Sequence, residues 1–443
     1  MNALVREADW WRPEAPARAH AAVLPAESGG LLPLRALMLF TLVLLTAPQA
    51  YFPVLASMRL GLMAVGFAIL AHVYDRFTRG AALLAVTREI WLALGLVAWA
   101  VVTLPFSWWP MGSLSFLLGT FAKAVIVFWL VGAVVNTPAR LASAAWGLSL
   151  LSIPLAVTAL KNQLEGIFVQ PGARGVQRIM GYDAPLTGNP NDLAAILNLI
   201  LPLAIALYLA ARRPVHRLAL GALVLLDMGA VVATFSRAGF LTLGVIVMLY
   251  GWKLHRRGRL PWALVALLII ALPLGPTGYL AHMSTITDID ADTTGSSQER
   301  WGLLLTAGRF VATHPVVGTG IGLNVLAMNE GGGDVWREVH NAYLQYGVEL
   351  GLPGMALFVL LLASCLRRAR AARERAARAP GADRLFLLAE GVHVSLVAYA
   401  LTAVFHPLAY HFHFYYFAGL AVGVGTAAAA LGPARPAAGE GTA

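Results

Sequence analysis

Long apolar runs, broken by clusters of Pro, Gly and Arg, fill the chain from residue 31 to residue 432. Runs near 20 residues are long enough to cross a hydrocarbon core of about 30 Å as helices. A helix satisfies every backbone N–H and C=O within such a continuous apolar segment. A membrane β-barrel would alternate apolar and polar positions, and no alternation is visible. The pattern predicts spans at 31–48, 50–72, 90–109, 113–135, 141–160, 192–211, 217–235, 238–253, 260–281, 348–366, 385–405 and 415–432. Read as one helix, 217–253 would measure roughly 55 Å. Ser236-Arg237-Ala238-Gly239 interrupts it, so two spans with a tight turn at Arg237 are predicted. The expected fold is an all-α polytopic membrane protein of about twelve transmembrane helices.

Composition agrees with this class. The 443 residues are 59% hydrophobic and 12% charged, with a mean hydropathy of +0.71. Soluble domains run at about 45–50% apolar and about 25% charged. Cys365 is the single cysteine, which excludes an intramolecular disulfide and a cysteine-based metal site. Residues 1–30 are polar and too long and acidic for a secretory leader, so the first apolar segment is read as a retained span.

A net charge of +10 alone would suit a nucleic-acid partner, but its distribution does not. Most of the 32 Lys and Arg fall on alternate connections: Arg76/Arg79/Arg88, Arg140, Arg212/Arg213/Arg217, Lys253 to Arg259, and Arg367 to Arg384. Under the positive-inside rule that side is cytoplasmic and holds both termini. The chain then divides into a tail (1–30), helices one to nine (31–281), a large outer loop carrying short helices (282–347), helices ten to twelve (348–432) and a second tail (433–443). Within the loop, Ser297 to Thr313 reads as helical and Gly318-Thr319-Gly320-Ile321-Gly322 as a turn.

Positive charge on the outer side runs against this bias and asks for a reason. Arg237, in a short turn between apolar spans, is the clearest case; Arg300, Arg178 and the mid-span Lys123 are others. An anionic ligand supplies the reason, because guanidinium is a planar fork matched to phosphate oxygens. His340, where the long loop meets the next span, is the candidate for acid–base chemistry. If the following segment is helical, Tyr343, Gly347, Gly351 and Gly354 form a smooth face for close packing. Asp288, Asp290 and Asp292 read as a solvated acidic loop rather than a Mg²⁺ or Mn²⁺ site. His406, His411 and His413, among Phe412, Phe414, Tyr415 and Tyr416, read as an aromatic interface belt rather than metal ligands. No metal or cofactor is expected.

Four motifs, in order over residues 170–360, resemble the O-antigen ligase and polymerase superfamily. They are Gly188-Asn189-Pro190-Asn191-Asp192-Leu193-Ala194, Ser236-Arg237-Ala238-Gly239, Thr313-His314-Pro315-Val316-Val317-Gly318-Thr319-Gly320-Ile321-Gly322, and His340-Asn341-Ala342-Tyr343-Leu344-Gln345 followed by Glu349-Leu350-Gly351-Leu352-Pro353-Gly354. The first 160 residues match in hydropathy alone.

The resemblance implies a glycosyltransferase of the bacterial inner membrane with its active site on the periplasmic side. It would take glycan from undecaprenyl diphosphate and place it on a sugar hydroxyl of lipid A–core, without metal and with inversion. Carried over, His340 is catalytic and Arg237 and Arg300 bind the diphosphate, Arg300 sitting in the looser match Glu299-Arg300-Trp301. Arg178, Asn191, Lys123, Asn341 and Tyr343 are candidate substrate-binding residues. The partners implied are the lipid-linked donor, the lipid A–core acceptor and membrane lipids. The long loop between spans nine and ten favours the ligase over the polymerase, and protein O-oligosaccharyltransfer is a third form of the same chemistry. A transporter or flippase also fits twelve spans, but calls for paired broken helices and repeat symmetry that the sequence does not display.

Overall fold

The computed structural model describes residues 29–83, 86–169, 178–184, 186–255, 296–329 and 337–431. They form α1 (Leu32–Thr46), α2 (Leu60–Thr78), α3 (Arg88–Thr103), α4 (Pro110–Val134), α5 (Pro138–Glu165), α6 (Pro190–Ala210), α7 (Pro214–Ala233), α8 (Arg237–His255), α9 (Ser296–Thr313), α10 (Ala342–Arg378), α11 (Asp383–Thr402) and α12 (Phe412–Ala429). Among the described residues, nine helices are long and apolar enough to cross a membrane, and the shorter apolar α1 adds to them. The protein is an all-α polytopic membrane protein. The predicted span 260–281 and the triplet Asp288, Asp290 and Asp292 lie outside the described residues.

Helix starts follow local chemistry. Pro110, Pro138, Pro190 and Pro214 stand first in their helices, where a missing N–H costs nothing. Thr87, Thr137, Asn189 and Asn341 cap α3, α5, α6 and α10 with side-chain oxygens. The second span starts later than hydropathy predicts, at Leu60. The cause is Pro48 and Pro53 together with left-handed backbone at Ala47 and Arg59, which break residues 47–59 into short turns. Arg59 thereby stands at the N-terminus of α2.

Burial separates inner from outer helices. Seventy-eight per cent of the spanning window is buried in α6, α11 and α12, against 22% in α2, so the first three form the core and α2 is peripheral. Small residues let helices touch, as membrane packing requires. A Cβ at Gly391 of α11 would lie 2.9 Å from the Pro202 carbonyl of α6.

The expectation of one smooth glycine face on α10 is corrected by the structure. Gly351 has φ 67° and ψ −176°, so the helix is broken there, two residues before Pro353. Four of the freed backbone groups are engaged by other segments. Thr319 N donates to Val348 O (2.9 Å), Gly320 N to Glu349 O (3.0 Å) and Trp99 Nε1 to Leu350 O (2.8 Å). Leu352 N donates to Pro315 O (2.8 Å). Irregular backbone at membrane depth is tolerated when protein covers it in this way. The buried Glu349 carboxylate accepts from Gly322 N (2.7 Å) and Asn324 Nδ2 (2.6 Å), locking the Gly318–Gly322 turn onto α10.

Gly351→Ala is therefore expected to destabilise the protein by at least about 1–3 kcal/mol, since that backbone region belongs to glycine. A Cβ there would also collide with the Val316 carbonyl. Thermal unfolding in detergent measures this, and an unchanged midpoint would mean that the break tolerates a side chain.

At the opposite end, α10 continues as helix through the Arg367–Arg378 run that reads as a loop from sequence. Glu390 of α11 pairs with Lys253 of α8 and with Arg373 of α10, the latter at 2.8 Å. Glu89 of α3 takes Arg368 at 3.0 Å. Part of the basic charge that marks topology thus also ties helices together.

Candidate active site

The starts of α6, α8, α10 and α12 and the ends of α7 and α11 meet at the end of the bundle opposite those ion pairs. Asn189 Oδ1 accepts from Asn191 N (2.8 Å) and turns the chain into α6. Asn191 Oδ1 then accepts from Arg178 Nη2 (2.7 Å) and from Ser236 Oγ (2.8 Å). Arg178 comes from a short strand, Arg178–Ile179, paired antiparallel with Phe168–Val169. Its Nη2 also reaches Thr234 O at 3.4 Å.

The tight turn predicted around Arg237 is present. Phe235 carries it with φ 54°, Thr234 Oγ1 accepts from Ser236 N (3.2 Å), and Ser236 Oγ accepts from Gly239 N (3.2 Å). Arg237 is thereby the first residue of α8, where helix N-termini favour anions. Gly239 allows α8 to lie against α6: a Cβ there would stand 2.6 Å from the Ala194 Cβ.

Arg300, half-buried in α9, completes a group of three guanidiniums. Burial, then the charges of Arg300 and Arg237, lower the pKa of Arg178 from 12.5 to about 10. Three like charges this close raise each other's free energy, and an anion among them lowers it.

His340 lies on the adjoining segment. Its Nδ1 is 3.0 Å from the carbonyl oxygen of Glu338. A carbonyl only accepts, so Nδ1 carries the proton and Nε2 holds the lone pair of the neutral ring. The segment is tied on both sides. Val339 N donates to Asn324 Oδ1 (3.0 Å), Asn341 Nδ2 to Val404 O (3.0 Å) and Ala342 N to Ala403 O (2.8 Å). Tyr343 OH donates to Ala400 O (2.9 Å). The polar groups of Asn341 and Tyr343 thus hold α10 to the end of α11.

Sequence reading named Asp192 in a motif and His406 in an aromatic belt but did not join them; the structure buries His406 against Asp192. His406, on the α11–α12 connection, places Nε2 2.8 Å from Asp192 Oδ1, one residue after Asn191. Glu338 is an exposed residue, yet loss of water around its carboxyl is the main cause raising its pKa; His406 opposes the shift and Asp192 adds to it. Burial lowers His411, with Asp192 opposing and His406 adding. The available signal was Asp192 inside the Asn-Pro-Asn-Asp motif and a histidine before Pro407 in a short connection. Among the described residues, no group of three or more His, Cys, Asp or Glu is arranged to hold a metal ion.

Lys123 stands apart. It lies in α4, just after a π-helical turn at Leu117–Phe121, and among the described residues no hydrogen bond or ion pair joins it to the arginines.

Chemically, a group of three cations suits an anionic leaving group, and an oriented imidazole suits a proton acceptor. No curated protein matches the chain. Residues 221–359 match the family model described as O-antigen ligase, a stretch that holds Arg237, Arg300, the Gly318–Gly322 turn, His340 and the break in α10. With its motifs and its helical membrane fold in agreement with this match, the chain is similar to the O-antigen ligase family over residues 221–359.

Proposed function

We propose that the protein is an inverting, metal-independent glycosyltransferase of the bacterial inner membrane. It moves O-antigen glycan from undecaprenyl diphosphate to a sugar hydroxyl of lipid A–core, with its site open to the periplasm and both termini in the cytoplasm. What supports this reading is the grouping of Arg237 and Arg300 about Arg178, whose guanidinium is bonded to Asn191, next to the Asp192 that acts on Glu338 of the His340 segment.

The acceptor hydroxyl attacks the anomeric carbon from the face opposite the diphosphate, and its proton passes to His340 Nε2. The bond between that carbon and the diphosphate oxygen breaks, and the electron pair leaves with undecaprenyl diphosphate. Guanidiniums placed in advance stabilise the charge that develops there, which is the task a metal performs elsewhere. Both substrates are membrane-anchored and reach the site laterally.

Reconstitution in proteoliposomes with lipid-linked glycan and lipid A–core tests this. Transfer is expected to continue in EDTA, and its abolition by chelator would overturn the arginine-based mechanism. If glycan chains lengthen when lipid A–core is left out, the polymerase reading replaces the ligase.

A further inference from the structure

The Asp192–His406 contact lies beside the arginines, and the reaction as proposed does not use it. Asp192 opens α6 directly after Asn191, the hub of the Arg178 and Ser236 bonds. His406 is 6% exposed, on a connection that is itself bonded to the His340 segment through Ala403 O and Val404 O. Tyr346 OH donates to Ala409 O at 2.5 Å, fixing the same connection to α10. Glu338 feels both His406 and Asp192, and its carbonyl sets the tautomer of His340.

The groups facing His406 are Asp192 from α6, Glu338 from the segment before α10, and His411 and His413 around the start of α12. We propose that His406 is a positioning residue for His340: its ring, set 2.8 Å from Asp192, fixes the connection whose Ala403 and Val404 carbonyls hold the backbone that orients the His340 ring. This rests on the reading of His340 as the proton acceptor.

The test uses the full chain in proteoliposomes. It reads kcat, the donor KM, and the rate at which diethyl pyrocarbonate labels His340, followed by peptide mass spectrometry. H406Q is expected to lower kcat roughly tenfold or more, as loss of an orienting partner does, with donor KM within about twofold. It should also change the labelling rate of His340. H406K supplies Asp192 with a charge-assisted donor that a neutral amide does not, and is expected to restore both readouts. E338Q alters an exposed side chain and should reproduce the labelling change of H406Q.

Equal impairment of H406Q and H406K would reduce His406 to a packing residue, and unchanged His340 labelling in H406Q and E338Q would overturn the proposal outright. Should the wild type fail to transfer glycan while the labelling changes and their rescue persist, the positioning role stands and the functional reading falls.

Discussion

Arg237→Lys is expected to lose transfer by roughly a hundredfold or more, the scale seen when one preorganised donor to a developing anion is removed. The charge is kept in this variant, so the loss reads geometry. Arg237 begins α8 because Phe235, at φ 54°, forces the turn, and Ser236 closes it against Asn191. A guanidinium launched from that point presents a planar fork of donors, whereas an ammonium is a compact, strongly hydrated point charge on a flexible stem. Rates in proteoliposomes, with the thermal shift on adding undecaprenyl diphosphate, separate binding from catalysis. Turnover near wild type would count against diphosphate recognition at this residue.

The lowered pKa of Arg178 adds a pH sign. Its guanidinium is fully charged well below pH 10 and loses charge as the pH rises through about 10. Donor binding should therefore weaken in that direction. A bound diphosphate favours the cation and moves the loss to higher pH.

The second large effect is at His340. His340→Ala is expected to reduce transfer by about 10²–10⁴, the usual contribution of a positioned general base. Binding of the lipid diphosphate should survive, since Arg178, Asn191 and Ser236 are bonded to one another without the imidazole. Single-turnover transfer and equilibrium donor binding decide between roles. Lost binding with an unaltered chemical step would make His340 a donor contact. With Nδ1 facing Glu338 O, Nε2 is the proposed proton acceptor, so His340→Gln, whose amide nitrogen does not accept a proton at neutral pH, should not rescue the rate.

The family model and the site divide unevenly along the chain. Arg237, Arg300 and His340 fall within residues 221–359, whereas Arg178, Asn191 and Asp192 lie before them and His406 after. The group that holds the site together is therefore partly built from outside the matched segment. The transporter alternative also meets the structure here. Among the described residues α10 is broken in mid-course, but the freed groups are closed by Thr319, Gly320, Trp99 and Pro315, and it has no matching partner helix.

By itself the sequence determined the helical membrane class, the approximate place of most spans and the turn before Arg237, and it singled out the arginines proposed here as diphosphate ligands. Each of these is local: apolar length against bilayer thickness, proline and cap chemistry, or charge against the positive-inside bias. The tertiary structure alone decided the break at Gly351, the helical continuation through Arg378, and the joining of Asp192, Glu338 and His406. Hydropathy cannot distinguish a continuous apolar helix from one whose carbonyls are met by a loop some 30 residues away. Nor can it pair Asp192 with His406, because such a contact depends on which helix ends meet in space.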